Sequence, residues 1–332
     1  MDKVIRIGLD TSKHVFQVHG VDRSEQVVER RQLSRGQVEK YFASLSPTVV
    51  GLEACGASHH WARVLRELGH EVRLLPPQYV KPYVKRGKND RIDAEAICEA
   101  MNRPSMRFVP VKSVDEQAAA MLLSVRDMLI KQRTMLVNAI RSHAAEFGVI
   151  GAKGVARIAE VLARARESVP KLAWDLLSIL AGQLEVTEVQ LAHADKQLKL
   201  WHRETERSQR LATIPGVGPI GAMTMVLRVS DPTVFRSGRH FASWIGLTPR
   251  EHSTAGRQRL GGISRQGDEA LRRLLVVGAT SVIKLAQRGK GPAWLLALLK
   301  RRPAKVVAVA LANKMARIAW AMMVSGQAYR AR

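Results

Sequence analysis

Short apolar runs alternate with helical patterns over the first hundred residues of the chain. Strand-like runs occupy residues 4–10, 15–21, 26–33, 48–53 and 71–75. Helix-like patterns fill residues 34–42, 60–68 and 90–101. Three strands in a meander, followed by strands that alternate with helices, predict a ribonuclease-H-like α/β fold. We place this domain at residues 1–110.

The rest of the chain reads as helical, so the fold class is α/β plus all-α. Residues 113–147 predict one long helix that opens on a capping box, Ser113 and Glu116, and ends at Gly148. A second long pattern covers residues 171–209. The two helices could pair as an antiparallel coiled coil, within one protomer or between two, or serve as a plain spacer. We assign residues 111–209 to this region and residues 210–332 to a C-terminal helical domain.

A glycine-containing turn stands at the start of the C-terminal domain. Residues 214–222, with Gly216 and Gly218, lie between helical patterns. They resemble the turn of helix-hairpin-helix modules, whose backbone N–H groups bind DNA phosphates. A tight turn that binds no ligand is the alternative.

Charge points to an anionic partner. The chain has 53 Lys and Arg against 29 Asp and Glu, a net charge of +24, while 46% of its residues are hydrophobic. Residues 250–332 carry 17 of the basic and only 3 of the acidic residues, or +14. Nucleic acid is the partner that best fits such a surplus of positive charge, because its phosphates bind many Lys and Arg side chains. We expect no membrane partner, because charged residues interrupt the most apolar late stretch, 306–324. Two cysteines predict a reduced, cytoplasmic protein.

Four acids occupy positions suited to metal-dependent phosphodiester chemistry. Asp10 and Glu53 each end a predicted strand, and Asp90 and Asp93 lie one turn apart at the start of a helix. The carboxylates of such a cluster can serve as ligands of Mg²⁺ or Mn²⁺. Singly, each acid also suits a turn, a surface position or a helix N-terminus. Glu95 and Glu99 lie off the Asp90–Asp93 face and are weaker candidates.

One other activity is compatible with the first strand. Residues 8–13, GLDTSK, could form a phosphate loop of an actin-like sugar kinase. Such a kinase needs a second glycine-rich loop and an adenosine pocket, which the later sequence does not show. It would also leave the basic C-terminal region unexplained.

Six blocks carry a family resemblance. Residues 7–13 (IGLDTSK), 51–56 (GLEACG) and 88–94 (KNDRIDA) resemble the acidic blocks of the DEDD transposases of the one-ten insertion-sequence family. Residues 214–218 (IPGVG), 241–250 (FASWIGLTPR) and 260–268 (LGGISRQGD) resemble its second domain. The blocks span nearly the whole chain in the family's order.

The resemblance implies a RuvC-like N-terminal domain whose acids Asp10, Glu53, Asp90 and Asp93 bind the metal. It also implies a C-terminal serine that attacks DNA and forms a phosphoserine link. Depending on a one-residue gap, this nucleophile falls on Ser253 or Thr254; we choose Ser253, whose primary hydroxyl is less hindered. Ser264 looks like part of a basic turn, and His252 is a secondary candidate for the base.

Partners follow from the same resemblance. They are donor and target DNA, a structured non-coding guide (bridge) RNA, and further copies of the chain in a homodimer or homotetramer. We expect a bacterial cytoplasmic protein associated with the nucleoid. The expected nucleic-acid contacts are basic side chains and turn glycines: Lys85, Arg86, Lys88, Gly216, Gly218, Arg250, Arg257, Arg259, Arg265, Arg272 and Arg273.

Two alternative functions remain. A RuvC-like nuclease or junction resolvase would hydrolyse DNA with water and would not depend on Ser253. A non-catalytic nucleic-acid-binding protein would keep every activity after loss of the acids.

Overall fold

The computed structural model describes residues 4–84, 90–254, 256–257, 259–289 and 291–330, without the side chains of Asp90 and Arg91. The chain divides into two compact units, Met1–Ser113 and Val114–Arg332. Both predicted helical regions, 111–209 and 210–332, fall almost wholly in the second unit, and their separation into two domains stays a prediction. The expected contacts Lys85, Arg86 and Lys88 lie outside the described residues.

The first unit is built on a five-stranded mixed sheet with the order β3-β2-β1-β4-β5. Its strands are β1 (Arg6–Thr11), β2 (Val15–Val21), β3 (Val27–Ser34), β4 (Val49–Glu53) and β5 (Glu71–Leu75). β1, β2 and β3 are antiparallel neighbours, whereas β4 runs parallel to β1 and β5 parallel to β4. The predicted meander followed by parallel strands is confirmed.

Helices surround this sheet. They are α1 (Val38–Ala43), α2 (Ser58–Glu67), α3 (Pro77–Val80) and α4 (Asp90–Ala100), with short 3-10 turns at Arg35–Gln37 and Lys81–Tyr83. α4 packs against β1 and β2. The core forms where alternate strand residues such as Ile7, Leu9 and Leu52 are buried, as the two-residue period of a strand requires.

Two strand glycines allow α4 to lie on the sheet. A Cβ added to Gly8 would stand 2.1 Å from the Ala94 carbonyl oxygen and 2.6 Å from the Cys98 nitrogen. A Cβ added to Gly51 would stand 2.7 Å from the Met101 sulfur. At Gly8 the obstacle is helix backbone, which cannot rotate away. The absence of a side chain there therefore fixes the distance between α4 and β1.

The second unit is helical apart from one small hairpin. Its elements are α5 (Val114–Glu146), α6 (Ile158–Ser168), α7 (Lys171–Glu204), α8 (Glu206–Ala212), α9 (Pro219–Arg228), α10 (Gly238–Trp244), β6 (Pro249–Glu251), β7 (Leu260–Ile263), α11 (Glu269–Ala286), α12 (Ala293–Arg301) and α13 (Ala304–Ser325), with 3-10 turns at Val155–Arg157 and Pro232–Val234. α6 occupies a stretch for which the sequence predicted no element.

The two long helices α5 and α7 pack against each other. Arg126 pairs with Asp195 at 2.5 Å and Arg133 with Glu188 at 3.7 Å, so the helices run antiparallel. The predicted continuation of the second helix to Gln209 is wrong. Thr205 takes an extended conformation, φ −106° and ψ 98°, and α8 starts after it. This break allows Leu211 to enter the core of the second unit.

α13 is long and apolar enough to cross a membrane by length and composition, the one such helix within the described ranges. Its inward face is packed, however, with Val307, Leu311, Met315 and Ala319 all buried among α8, α10 and α11. We therefore describe α13 as a core helix of the second unit.

We predict that Gly8→Ala destabilises the first unit by about 1–3 kcal/mol or more, the usual range for overpacking. The new methyl group must displace α4 from β1. Chemical denaturation checks this, with Gly36→Ala as the matched control, because no atom lies within 4 Å of a Cβ at Gly36. Equal unfolding free energies for the two variants would refute the argument.

Candidate active site

Two predicted acids meet at one edge of the sheet. In the parallel pair of β1 and β4, Leu9 is the partner of Leu52. The residues that follow, Asp10 and Glu53, are therefore neighbours at the carboxyl ends of their strands. Both are half-buried. We call Asp10, Glu53 and the α4 acid Asp93 the acid edge.

Asp93 joins this edge from α4. Burial raises the pKa of the Glu53 carboxyl above its ordinary value, and the negative charge of Asp93 raises that pKa further. A like charge has this effect on a carboxyl group when the two groups are near each other. Asp90 begins α4, three residues before Asp93, but its side chain lies outside the described residues.

The acid edge has the donors that a hard divalent cation needs. Mg²⁺ and Mn²⁺ prefer carboxylate oxygens, and a bound cation would relieve the repulsion between Glu53 and Asp93. Among the described side chains, no three Asp, Glu, His or Cys groups already stand close enough together to hold one ion. Two carboxylates together with water can still hold Mg²⁺, which usually keeps several waters.

The remaining acids of α4 differ from this pair. Glu99 is exposed and forms an ion pair with Arg103, four residues along the helix. Glu95 is half-buried and lines a polar pocket with Arg30 and Arg31. At the rim of the acid edge, Thr11 Oγ1 lies 3.4 Å from the sulfur of Cys55, an exposed free cysteine.

The raised pKa of Glu53 has a consequence for stability. Between its unfolded and folded pKa values the folded protein binds more protons than the unfolded chain, so this contribution to stability falls as pH rises through that window. At neutral pH, and with metal removed by a chelator, the unfolding temperature of Glu53→Gln should therefore be no lower than that of the wild type.

Mg²⁺ or Mn²⁺ that binds only the folded protein raises its free energy of unfolding, by about 2.7 kcal/mol when the free metal concentration is a hundred times Kd. Glu53→Gln should reduce this gain. Thermal unfolding with and without metal measures both effects. Glu99→Gln, which removes an exposed carboxylate of α4, should keep the full metal increment. If Glu53→Gln gains as much stability from added metal as the wild type does, Glu53 is not a metal ligand.

Ser253 lies in a small hairpin of the second unit. β6 pairs antiparallel with β7, Pro249 opposite Ile263 and Glu251 opposite Leu260. The Ser253 hydroxyl donates a hydrogen bond to Glu251 Oε1 at 2.9 Å and accepts one from the Arg259 backbone N–H at 3.2 Å. Ser253 is exposed. We call residues 249–263 the serine hairpin.

Thr254, the alternative nucleophile, is held differently. It forms an isolated backbone bridge with Arg257, whose N–H donates to the Thr254 carbonyl at 3.0 Å. The His252 N–H donates to the Arg259 carbonyl at 2.9 Å. These bonds close the tip of the serine hairpin around Ser253.

Two of the sequence blocks form the base on which the serine hairpin stands. Gly246 and Gly267 both have positive φ, and a Cβ on Gly267 would lie 1.7 Å from the Trp244 carbonyl oxygen. The Ser264 N–H donates to the Thr248 carbonyl at 2.8 Å. Ser264 is therefore part of the supporting turn, as the sequence suggested.

Three expected phosphate contacts have partners within the protein. Arg272 Nη1 donates to the Ile245 and Gln266 carbonyls at 2.8 Å each, and Arg250 Nη2 donates to the Ser264 carbonyl at 3.2 Å. Arg273 pairs with Asp127 at 3.1 Å. These guanidinium groups anchor the base of the serine hairpin and α11. Arg257, Arg259 and Arg265 are exposed and remain candidates for nucleic-acid contacts.

The glycine turn before α9 divides into two roles. Gly216 has a φ of +87°, and a Cβ there would lie 2.8 Å from the Gly278 carbonyl oxygen on α11. Packing against α11 thus requires this glycine. Gly218 is the exposed N-cap of α9, and no atom lies within 4 Å of its Cβ position, so packing does not require a glycine there.

Sequence reasoning assigned no role to Glu251, the hydrogen-bond partner of Ser253. One signal was available: residues two apart on an extended strand share a face. This signal could not be used, because β6 is only three residues long and so short a strand leaves no recognisable alternation in the sequence.

Comparison with known proteins covers both units. Residues 7–148 match a DEDD transposase model for IS110, and residues 208–291 match a model described as the transposase IS116/IS110/IS902 family. A Sinorhizobium fredii protein named "Putative transposase y4pF/y4sB" is 55% identical over 99% of this chain and 87% of its own length.

Two further relatives extend over the full length. A Pseudomonas aeruginosa protein named "Probable family 20 transposase" is 50% identical over 98% of both chains. The transposase for insertion sequence element IS1328 of Yersinia enterocolitica is 38% identical over 99% of both chains.

Proposed function

Since this chain belongs to the IS110/IS116 family of DEDD transposases, a class of DNA-cleaving and recombining enzymes, we propose that it exchanges DNA strands through a phosphoserine link at Ser253. Asp10, Glu53, Asp90 and Asp93 hold the divalent cation. The element that it moves is its own insertion sequence.

The observation that carries this proposal is the state of the Ser253 hydroxyl. It is exposed, yet hydrogen bonds on two sides hold it in one orientation. Because the hydroxyl is already oriented, less entropy is lost when it attacks a bound phosphodiester. Ser253 Oγ bonds to phosphorus while the bond from phosphorus to a sugar oxygen breaks. The bound cation would stabilise charge on the reacting phosphate.

The basic residues of the second unit then bind nucleic acid. Arg257 and Arg259 lie on the serine hairpin and Arg265 follows it in sequence, all three exposed; the start of α9 at Gly218 offers backbone N–H groups in the manner of a helix-hairpin-helix module. The surplus of +14 over residues 250–332 suits both DNA and a structured guide RNA. The protein works in the cytoplasm, where the chromosome lies.

One observation favours a second candidate function. The paired charges of Glu53 and Asp93 form within the first unit alone and need no serine. A metal-dependent nuclease that activates water would use the same acids. It would release free DNA ends and leave Ser253 without a chemical role.

A covalent-adduct assay tests the proposal. The protein is incubated with metal, RNA from the element's non-coding end and labelled junction DNA, then denatured. We expect protease-sensitive DNA of reduced gel mobility, lost in Ser253→Ala and in Asp10→Asn. Thr254→Val, which removes only the neighbouring hydroxyl, should retain the adduct. Cleaved DNA without an adduct, at equal rates in wild type and Ser253→Ala, would support the nuclease.

Oligomer formation is the remaining part of the proposal. Leu177, Leu184, Leu191 and Leu198 recur every seven residues on α7 and are buried, the spacing of a coiled coil with α5. A second apolar row on α7 stays more than half exposed: Leu172, Leu176, Ile179, Val186 and Val189. Met121, Met128 and Met135 form a similar row on α5. We propose that these rows pair between copies of the chain.

Ile179→Lys should therefore shift the protein from dimer or tetramer toward monomer, because a buried charge without a partner is costly. Size-exclusion chromatography with light scattering measures the mass. Glu204→Lys introduces the same side chain at an exposed position at the C-terminal end of α7, beyond the apolar row, and should leave the mass unchanged. An unchanged oligomer in Ile179→Lys would place the interface elsewhere.

A further inference from the structure

We propose that Glu251 is the general base for Ser253: its carboxylate removes the hydroxyl proton as the serine attacks DNA and returns it when the link is resolved. This inference rests on the proposed function, because it takes Ser253 as the nucleophile. It adds a catalytic residue that contacts the reacting oxygen directly.

The direction of the two hydrogen bonds supports this role. A serine hydroxyl has one proton and two lone pairs. The Arg259 backbone N–H can only donate, so it occupies one lone pair of Ser253 Oγ at 3.2 Å. A carboxylate can only accept, so the Ser253 proton points to Glu251 Oε1 at 2.9 Å. The second lone pair is left for phosphorus.

The distance and the chemistry both meet the requirements of a base. General bases lie about 2.6–3.2 Å from the oxygen that they deprotonate, and activated serines commonly have a base within that reach. Glu251 is the last residue of β6, and its pairing with Leu260 fixes its backbone. Both the carboxylate and the hydroxyl are exposed, so a phosphodiester can approach them.

Other groups on the serine hairpin are less suited to the task. Arg250, Arg257 and Arg259 are cations and cannot accept the proton at neutral pH. His252 lies between Glu251 and Ser253 in sequence. Its ring lies beside Gly261: a Cβ added to that glycine would be 3.9 Å from His252 Nε2. The described hydrogen bond of Ser253 Oγ goes to Glu251 and not to His252.

The step balances with solvent water as the only other proton carrier. The Oγ–H bond of Ser253 breaks and its proton passes to Glu251, while Oγ bonds to phosphorus. The bond from phosphorus to the sugar oxygen breaks, and the departing oxygen takes a proton from solvent. In the reverse direction a sugar hydroxyl gives its proton to solvent and attacks the phosphoserine, the bond from phosphorus to Oγ breaks, and the Glu251 carboxylic acid returns a proton to Ser253 Oγ.

Adduct formation by Glu251→Gln tests the inference. Glutamine keeps an acceptor oxygen for the serine but cannot take its proton. Single-turnover rates should fall by roughly 10²–10⁴-fold, the usual contribution of a general base. Glu204→Gln, an exposed carboxylate at the end of α7, should leave the rate unchanged.

The pH profile separates a base from a positioning residue. The ratio of wild-type to Glu251→Gln rates should shrink as pH is lowered, because protonation removes the base from the wild type only. The acid edge is common to both proteins, so its titration cancels in the ratio. A positioning role alone would give a ratio that does not change with pH.

The outcomes distinguish this inference from the proposed function. If wild type and Glu251→Gln form adduct at equal rates, and Ser253→Ala forms none, the role of Glu251 is refuted and the serine mechanism stands. If the wild type cleaves DNA without any adduct, both are refuted. A pH-independent loss in Glu251→Gln would also refute the base role.

Discussion

Direct contact between backbone segments at glycine is the constraint on which both candidate sites depend. At Gly8 a strand touches the backbone of α4, and this contact brings Asp93 toward Glu53. At Gly267 a turn touches the Trp244 carbonyl and sets the base of the serine hairpin. Any side chain at either position would push apart the elements that carry the chemistry. The site geometry is therefore specified by residues that have no functional groups of their own.

Electrostatics act in opposite senses in the two units. In the first unit, burial and like charge make Glu53 costly to ionise, a cost that a cation can offset. In the second unit, an ordered serine and carboxylate lie on a hairpin that also carries exposed arginines. One arrangement suits a cation, and the other suits a phosphodiester. The division follows from chemistry, since Mg²⁺ needs oxygen ligands and phosphodiesters need positive charge.

The net charge of +24 overstates how many basic side chains are available to bind nucleic acid. Arg250 and Arg272 donate to backbone carbonyls, and Arg273 forms an ion pair with Asp127. An arginine has five N–H donors in a fixed fork, so it can hold several carbonyl oxygens of a turn together. Composition counts such residues as phosphate contacts, although their hydrogen bonds fasten the protein to itself. Arg257, Arg259 and Arg265 are exposed on and beside the serine hairpin.

The sequence by itself determined that the first unit has a meander followed by parallel strands, and that Asp10 and Glu53 each stand at the end of a strand. Strand periodicity is local, and parallel strands bring their ends to one edge. Family resemblance supplied Ser253, which no local pattern marks. Only the tertiary structure decided that Glu251 meets the Ser253 hydroxyl, that Gly216 serves packing, and that the second long helix breaks at Thr205. Each of these depends on contacts between segments distant along the chain, or on the conformation of a loop, and neither leaves a periodic signal in the sequence.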